Sequence, residues 1–342
     1  MTAIRVSCVF RPETEFCEET PSGATWYRLP TGLTVDYNPQ NNMQTYTEIG
    51  NKFPSNVVAG VFSGSGSVKF KLDYQCINFL GAVFENYEYE PTVDGEVQKN
   101  THLFSKKNGK RVKSFSLRFK KLNAVVGGGK DSVITLRGCV GSDFSQSQSS
   151  GNAVQDATVS FQYAKESMVL TDLDETDWEG FYDTEDACVP VEWACLNIGD
   201  EPVAYTESVS FGVKNSLEMI KGCGIRFNSN YREGPTNVSL STSCYAVDEK
   251  TYYTRMYSGG VVTDELEPRA KGLKPIDTIK IKSTMDDDTY KWTTVVHKVY
   301  VDSDGSRNYN PSSRINDSPS FKVQGPFEIY VKNTSGRITI WD

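Results

Sequence analysis

The chain matches itself at an offset of 174 residues, and few folds accommodate that. TVDYNPQNNMQTYTEIGNKFPSNVVAG (34–60) aligns without a gap to SVSFGVKNSLEMIKGCGIRFNSNYREG (208–234). Identities fall at Val35/Val209, Asn41/Asn215, Gly50/Gly224, Phe53/Phe227, Ser55/Ser229, Asn56/Asn230 and Gly60/Gly234, with conservative pairs such as Tyr37/Phe211 and Met43/Leu217 between them. An offset of about half a 342-residue chain marks a duplicated unit. Each copy reads as a strand, a polar Asn-containing turn, a returning strand and a Gly-ended loop, which together make a long hairpin. Arms this weakly apolar make a poor core of their own, and their open edges invite another chain to pair. After Gly60 the halves realign with a four-residue shift, so that Val68 meets Val238.

Strands dominate elsewhere. SVKFKLDY (67–74), SFSLRFKKL (114–122), ATVSFQYA (157–164), DTIKIKS (277–283), WTTVVHKVYV (292–301), PFEIYVKN (326–333) and RITIW (337–341) alternate apolar with polar residues. Helical periodicity is confined to DYQCINFLGAVF (73–84), with Ile77, Leu80 and Phe84 on one face, and to its counterpart around Val247 to Met256. SDFSQSQSSGNA (142–153) reads as a polar loop and TDLDETDWEGFYDTEDA (171–187) as an acidic linker. The expected organisation is mainly β: a first domain over 1–170, the linker over 171–187 and a second domain over 188–342, each domain with a short helix.

Little in the chain supports catalysis. The two histidines, His102 and His297, lie beside a turn and within a strand, and no GxSxG elbow is present. VGGGK (126–130) lacks the spacing of a phosphate-binding loop. Asp172, Asp174 and Asp177, and Asp302, Asp304 and Asn308 around Gly305, lack the closing Glu of a calcium loop. We therefore expect no catalytic residue, cofactor or metal. Lys106, Lys107, Lys110, Arg111 and Lys113 flank an NG turn as a charged hairpin tip. The eight cysteines form no CxxC pair, the opening residues lack an apolar signal region, and no apolar run is long enough to span a membrane, so free thiols and no membrane are expected. A net charge of −8 argues against a nucleic-acid grip.

The order of elements resembles the tail tube proteins of long-tailed bacteriophages. The likeness rests on ATWYRLPTGLTVDYN as an entering strand near Trp26 and Pro30, the hairpin EIGNKFPSNVVAG, the strand SVKFKLDY, a short helix, and late strands VITLRGCVGSDF and ATVSFQYA. It covers most of the first half and residues 200–256 of the second; residues 257–291 match nothing in the first half. The tandem arrangement is similar to tubes in which two fused β-sandwich or barrel domains let three chains form a pseudo-sixfold ring.

The resemblance implies a structural protein of the virion tail, assembled in the host cytoplasm. Its rings stack into a tube that conducts DNA on ejection without holding it, and it meets tape measure, terminator and baseplate proteins. It also implies that Asp36, Asn38, Asn41, Glu48, Gly50, Phe53 and Gly60, with Asn215, Gly224, Phe227 and Gly234, belong to lumen or inter-subunit hairpins, and that the lumen is net negative. The competing expectation is a β-sandwich binding protein of a baseplate, capsid surface or adhesin.

Overall fold

The structure is a computed structural model and describes residues 8–29, 33–46, 56–73, 76–94, 97–106, 110–121, 132–148, 154–170, 178–179, 195–257, 275–284, 290–303, 317–334 and 336–341. The fold is mainly β. Its first half runs β1 (Cys8–Pro12), β2 (Trp26–Arg28), β3 (Thr34–Gln40), β4 (Gln44–Tyr46), β5 (Asn56–Val58), β6 (Ser63–Lys71), α1 (Ile77–Leu80), β7 (Asn86–Asp94), β8 (Val97–Ser105), β9 (Phe115–Lys121), β10 (Ser132–Gln148), β11 (Asp156–Tyr163) and β12 (Lys165–Leu170). After β13 (Trp178–Glu179) come β14 (Cys195–Ile198), β15 (Glu201–Lys221), β16 (Asn228–Ala246), α2 (Glu249–Tyr257), β17 (Ile276–Thr284), β18 (Lys291–Ser303), β19 (Ser320–Val323) and β20 (Phe327–Asn333).

The strands close twice in one order. In the second half β14, β15, β16, β19, β18 and β17 pair antiparallel in turn, and β17 returns to β14. In the first half the same path runs from β2 and β3 through β6, β11, β10, β9 and β1, and β1 returns to β2. Closure of this kind removes most sheet edges within each half. β2 and β3 are two pieces of what is one strand in the second half. The pairs Val9↔Arg28 and Phe10↔Tyr27 stand where Asn197↔Pro202 and Ile198↔Glu201 stand later.

Register carries the duplication further than sequence identity does. Val35↔Val68 corresponds to Val209↔Thr242, and Gln40↔Ser63 to Lys214↔Asn237, so both arms keep the same offset. The expected four-residue shift after Gly60 is therefore corrected: Val68 corresponds to Thr242, not Val238. Apolar identity misled the alignment, because Thr242 is as buried as the valine it replaces. Part of the stretch expected to match nothing, residues 276–284, forms β17 and takes the place of β9. The two halves even share a kink. β10 pairs with β12 up to Arg137 and with β11 from Val140, with Gly138 between them at φ 63. β18 pairs with β20 up to Val296 and with β19 from Val299, with Lys298 at φ 49.

Three expectations are corrected here. The helix over 73–84 shrinks to the four residues of α1, whose side chains are all buried. RITIW does not form a strand; instead Trp341 lies against Gly81, donates from Nε1 to the Asn78 carbonyl at 2.6 Å and stacks on Phe10, so the alternating tail plugs the core beside α1. Residues 142–148 of the expected polar loop are the end of β10. Of the acidic linker, the described residues Trp178 and Glu179 pair parallel with β2.

Candidate assembly surface

The end of β10 joins the two halves. Asp143–Ser147 pair with β11 on one side, and Asp143–Gln148 pair with Val209–Lys214 of β15 on the other. Strands β3, β6, β11, β10, β15, β16, β19 and β18 thus form one continuous antiparallel run across the molecule. Side chains alternate across it. One face turns a row of Val35, Val68, Val159, Phe144, Val213 and Val238 into the core. The opposite face carries Asp36, Ser67, Ser160, Asp143, Lys214 and Asn237 in the neighbouring row. The next row in one direction holds Thr34, Lys69, Thr158, Ser145, Gly212 and Ser239, and the row beyond it Lys71, Asp156, Ser147, Ser210, Ser241 and Ser320. These three rows contain no apolar side chain larger than the hydrogen of Gly212.

The charges on this face cancel. Lys69 lies 3.6 Å from Asp36, Lys71 2.6 Å from Asp156 and Lys322 3.0 Å from Asp302. Lys214 stands opposite Asp143 across the β10–β15 pairing. The acidic excess expected of the hairpin face is thus absent among the described residues. Each of these lysines has an aspartate beside or opposite it, so the pair presents a distant anion with a dipole whose field falls off faster than that of a lone charge.

Of the hairpin residues singled out from the sequence, Asp36 and Asn38 lie exposed on this face. Gly60 packs against the Asn42 carbonyl, so closely that a Cβ would sit 1.9 Å from that oxygen, and Gly234 meets Ser216 at the equivalent place. Asn41 accepts from Arg226 Nη2 at 2.6 Å, which ties one hairpin to the other. Asn215 is buried, with Nδ2 at 3.4 Å from the Gly141 carbonyl. Gly224 turns the second hairpin at φ 76. Phe227 packs on Phe62 at 5.8 Å, beneath Lys165. Glu48, Gly50 and Phe53 lie outside the described residues. Sequence reasoning missed the serines and threonines of β10 and β11. Their signal was an alternation of Ser145 and Ser147 with Phe144 and Gln146, hidden by low apolar content.

The joint between the halves is aromatic. Phe84, next to α1, meets Phe144 at 5.4 Å and Phe327 at 5.7 Å, and Phe211 meets Phe327 at 5.8 Å. His102 is fully buried there, its two ring nitrogens each 2.9 Å from Tyr87 Oη and Asn333 Oδ1, so it bonds β7, β8 and β20 together. His297 is held by Thr278 at 3.2 Å and Glu328 at 3.7 Å. Of the basic run, half-buried Lys106 pairs with Glu85 at 2.6 Å and exposed Lys110 donates to Asn86 Oδ1 at 3.1 Å. Asp302, a calcium candidate in the sequence, is occupied by Lys322. All described cysteines are free, and burial pushes the Cys8 and Cys139 thiols well up, away from the reactive thiolate.

Comparison with known proteins agrees with this geometry. A family model described as phage tail tube protein matches residues 4–290, crossing both hairpins and ending after β17. No curated protein matches the chain.

Proposed function

The chain belongs to the phage tail tube proteins, a structural family of the virion tail whose members assemble with themselves and with other tail proteins, and on that premise we propose that three copies close into one ring. In this reading residues 1–170 and 188–342 are two tube domains joined by the linker 171–187, alternating around a pseudo-sixfold axis. Each copy lends its run of eight strands to a shared barrel, twenty-four in all. At ordinary strand spacing and a tilt of about 40°, such a barrel measures roughly 45–50 Å between backbones, wide enough for a DNA duplex.

The polar face lines the lumen, with Asp36 and Asn38 directed into it. Asn41, Gly60, Asn215 and Gly234 set the bends of the hairpins, and Phe227 anchors the second hairpin at the joint. The tips around Glu48, Gly50, Phe53 and Gly224 reach the next ring. DNA passes on ejection without specific binding, and the protein performs no catalysis. Tape measure, terminator and baseplate proteins meet the ends of the stack, which assembles in the host cytoplasm.

The β10–β15 pairing supports this reading, because within one chain the sheet of the first half continues into that of the second. Electron microscopy of the concentrated protein should find stacked rings with a hollow centre and six domain-sized lobes. Closed compact particles without a channel would overturn it.

A further inference from the structure

Met43, Val57 and Met168, exposed on the first half, have counterparts that are buried or half-buried in the second half, and the first half is what covers them. Met43 and Val57, on the arms of the first hairpin, are 63% and 55% exposed. At the common offset they correspond to Leu217 and Tyr231, which pack with Val112 and Val140 of the first half. Tyr231 is 7% exposed and donates its hydroxyl to the Val112 carbonyl.

A second patch repeats the pattern independently. Met168 and Val169 of β12 are 62% and 57% exposed, on opposite faces of the strand. β12 lies on β10 as β20 lies on β18, and the pairs Ile134↔Met168 and Thr294↔Ile329 make Ile329 the counterpart of Met168. Ile329 is 0% exposed. It is sealed because β8, from the first half, adds to the edge of β20 with Ile329 opposite Phe104. Among the described residues β12 pairs with β10 alone, so it keeps an open edge flanked by apolar side chains, which is a template for strand addition.

We infer that the β12 edge and the Met43–Val57 side of the first hairpin form a docking surface for the second half of another copy. The inference rests on the ring reading and adds to it a contact outside the lumen sheet. Met43 and Val57 settle beside Tyr300, which stands two residues after the kink at Lys298 as Val140 stands two after Gly138. The occupant is a second copy because the chain already contains the complementary pair, joined to itself once. Contacts of this head-to-tail kind repeat by rotation and close into a ring.

The test uses the full chain at concentrations below and above assembly. Amide hydrogen exchange over 165–170 should slow by at least about tenfold on assembly, because strand addition protects the free edge. The exposed double variant Met168→Glu/Val169→Lys should melt as the wild-type monomer does yet fail to form rings, while Met168→Leu/Val169→Ile assembles normally. Rings whose 165–170 amides exchange as fast as in the monomer, or rings formed equally well by the charged variant, would overturn this interface and leave the tube reading standing. A wild-type chain that stays monomeric at every concentration would overturn both.

Discussion

The two hairpins share one register and differ in continuity. The second is a pair of unbroken strands, β15 of 21 residues and β16 of 19. The first is divided: β2 and β3 replace the start of β15, and the distal arms β4 and β5 form a separate two-stranded sheet. Composition contributes: between β2 and β3 the chain has Pro30 and Gly32 where β15 has Ala204 and Thr206, and Pro39 and Pro54 align with Val213 and Asn228. Surroundings contribute as well. Along its length β15 is flanked by β14 and then β10, and its tip lies on Val112, Val140 and Phe16. β3 has β6 as its paired neighbour among the described residues. A long weakly apolar strand is stabilised by what lies beside it, and under the proposed ring the first hairpin gains its neighbour on assembly.

The sharpest test of that contrast is a matched truncation. Phe211→Ala removes a fully buried ring packed on Phe144 and Phe327, and should cost about 3–5 kcal/mol in denaturant unfolding. The equivalent Tyr37→Ala removes a half-buried ring that meets Phe119 at 5.2 Å, and should cost less than half as much in the monomer. Equal losses would mean that the two hairpins are equally supported. Next in size, Asn215→Ala strips a buried amide from between the Gly141 carbonyl and Thr236, and should cost about 1–2 kcal/mol, against about 0.5 kcal/mol or less for exposed Asn41→Ala.

The shared kink offers a smaller effect of opposite sign. Lys298→Gly relieves a left-handed side chain and should stabilise by about 0.5–1 kcal/mol. Gly138→Ala should destabilise, since its Cβ would also lie 2.9 Å from that of Ala164. Thermal melts that move both ways as stated would show the kinks to be equivalent.

The smallest effect is on pH. Burial and the neighbouring Glu85 carboxyl raise Glu233 above the ordinary carboxylate range, while the Val112 amide and Lys106 hold it down in part. A raised folded value means that its stabilising contribution is full below the unfolded value and fades as pH rises through the folded one. Wild type should therefore gain stability over Glu233→Gln as pH falls from 7 toward that window. A parallel pair of stability–pH curves would remove the assignment. The first hairpin carries Ala59 at that place and has no such dependence of its own.

Strands whose inward residues are large and apolar were legible in the sequence: β6, β9, β11, β17, β18 and β20 lie where alternation predicts. The end of β10 was not, because its outward residues are serines and two of its inward ones are Gln146 and Gln148, a pattern that composition alone reads as a loop. β7 and β8 were hidden for a similar reason, since Pro91, charged residues and the Asp94–Gly95 dipeptide dilute any periodicity. RITIW shows the converse: alternation without a free edge to join yields a plug, not a strand. Of the surface, the sequence revealed the hairpins that bend and turn. It did not reveal the strands between them, whose role comes from pairing across more than sixty residues of chain, as in Ser147↔Ser210.

The hydroxyl-rich wall has one more consequence. Serine and threonine side chains hold water without ordering it strongly, and a wall of paired lysines and aspartates offers a passing phosphate no partner that is not already engaged. Under the proposed geometry a duplex moving along it slides on a renewable film of solvent, losing and regaining equivalent water-mediated contacts at every step. Drag then scales with the viscosity of that film and with the length of the conduit, not with the breaking of bonds at particular rungs.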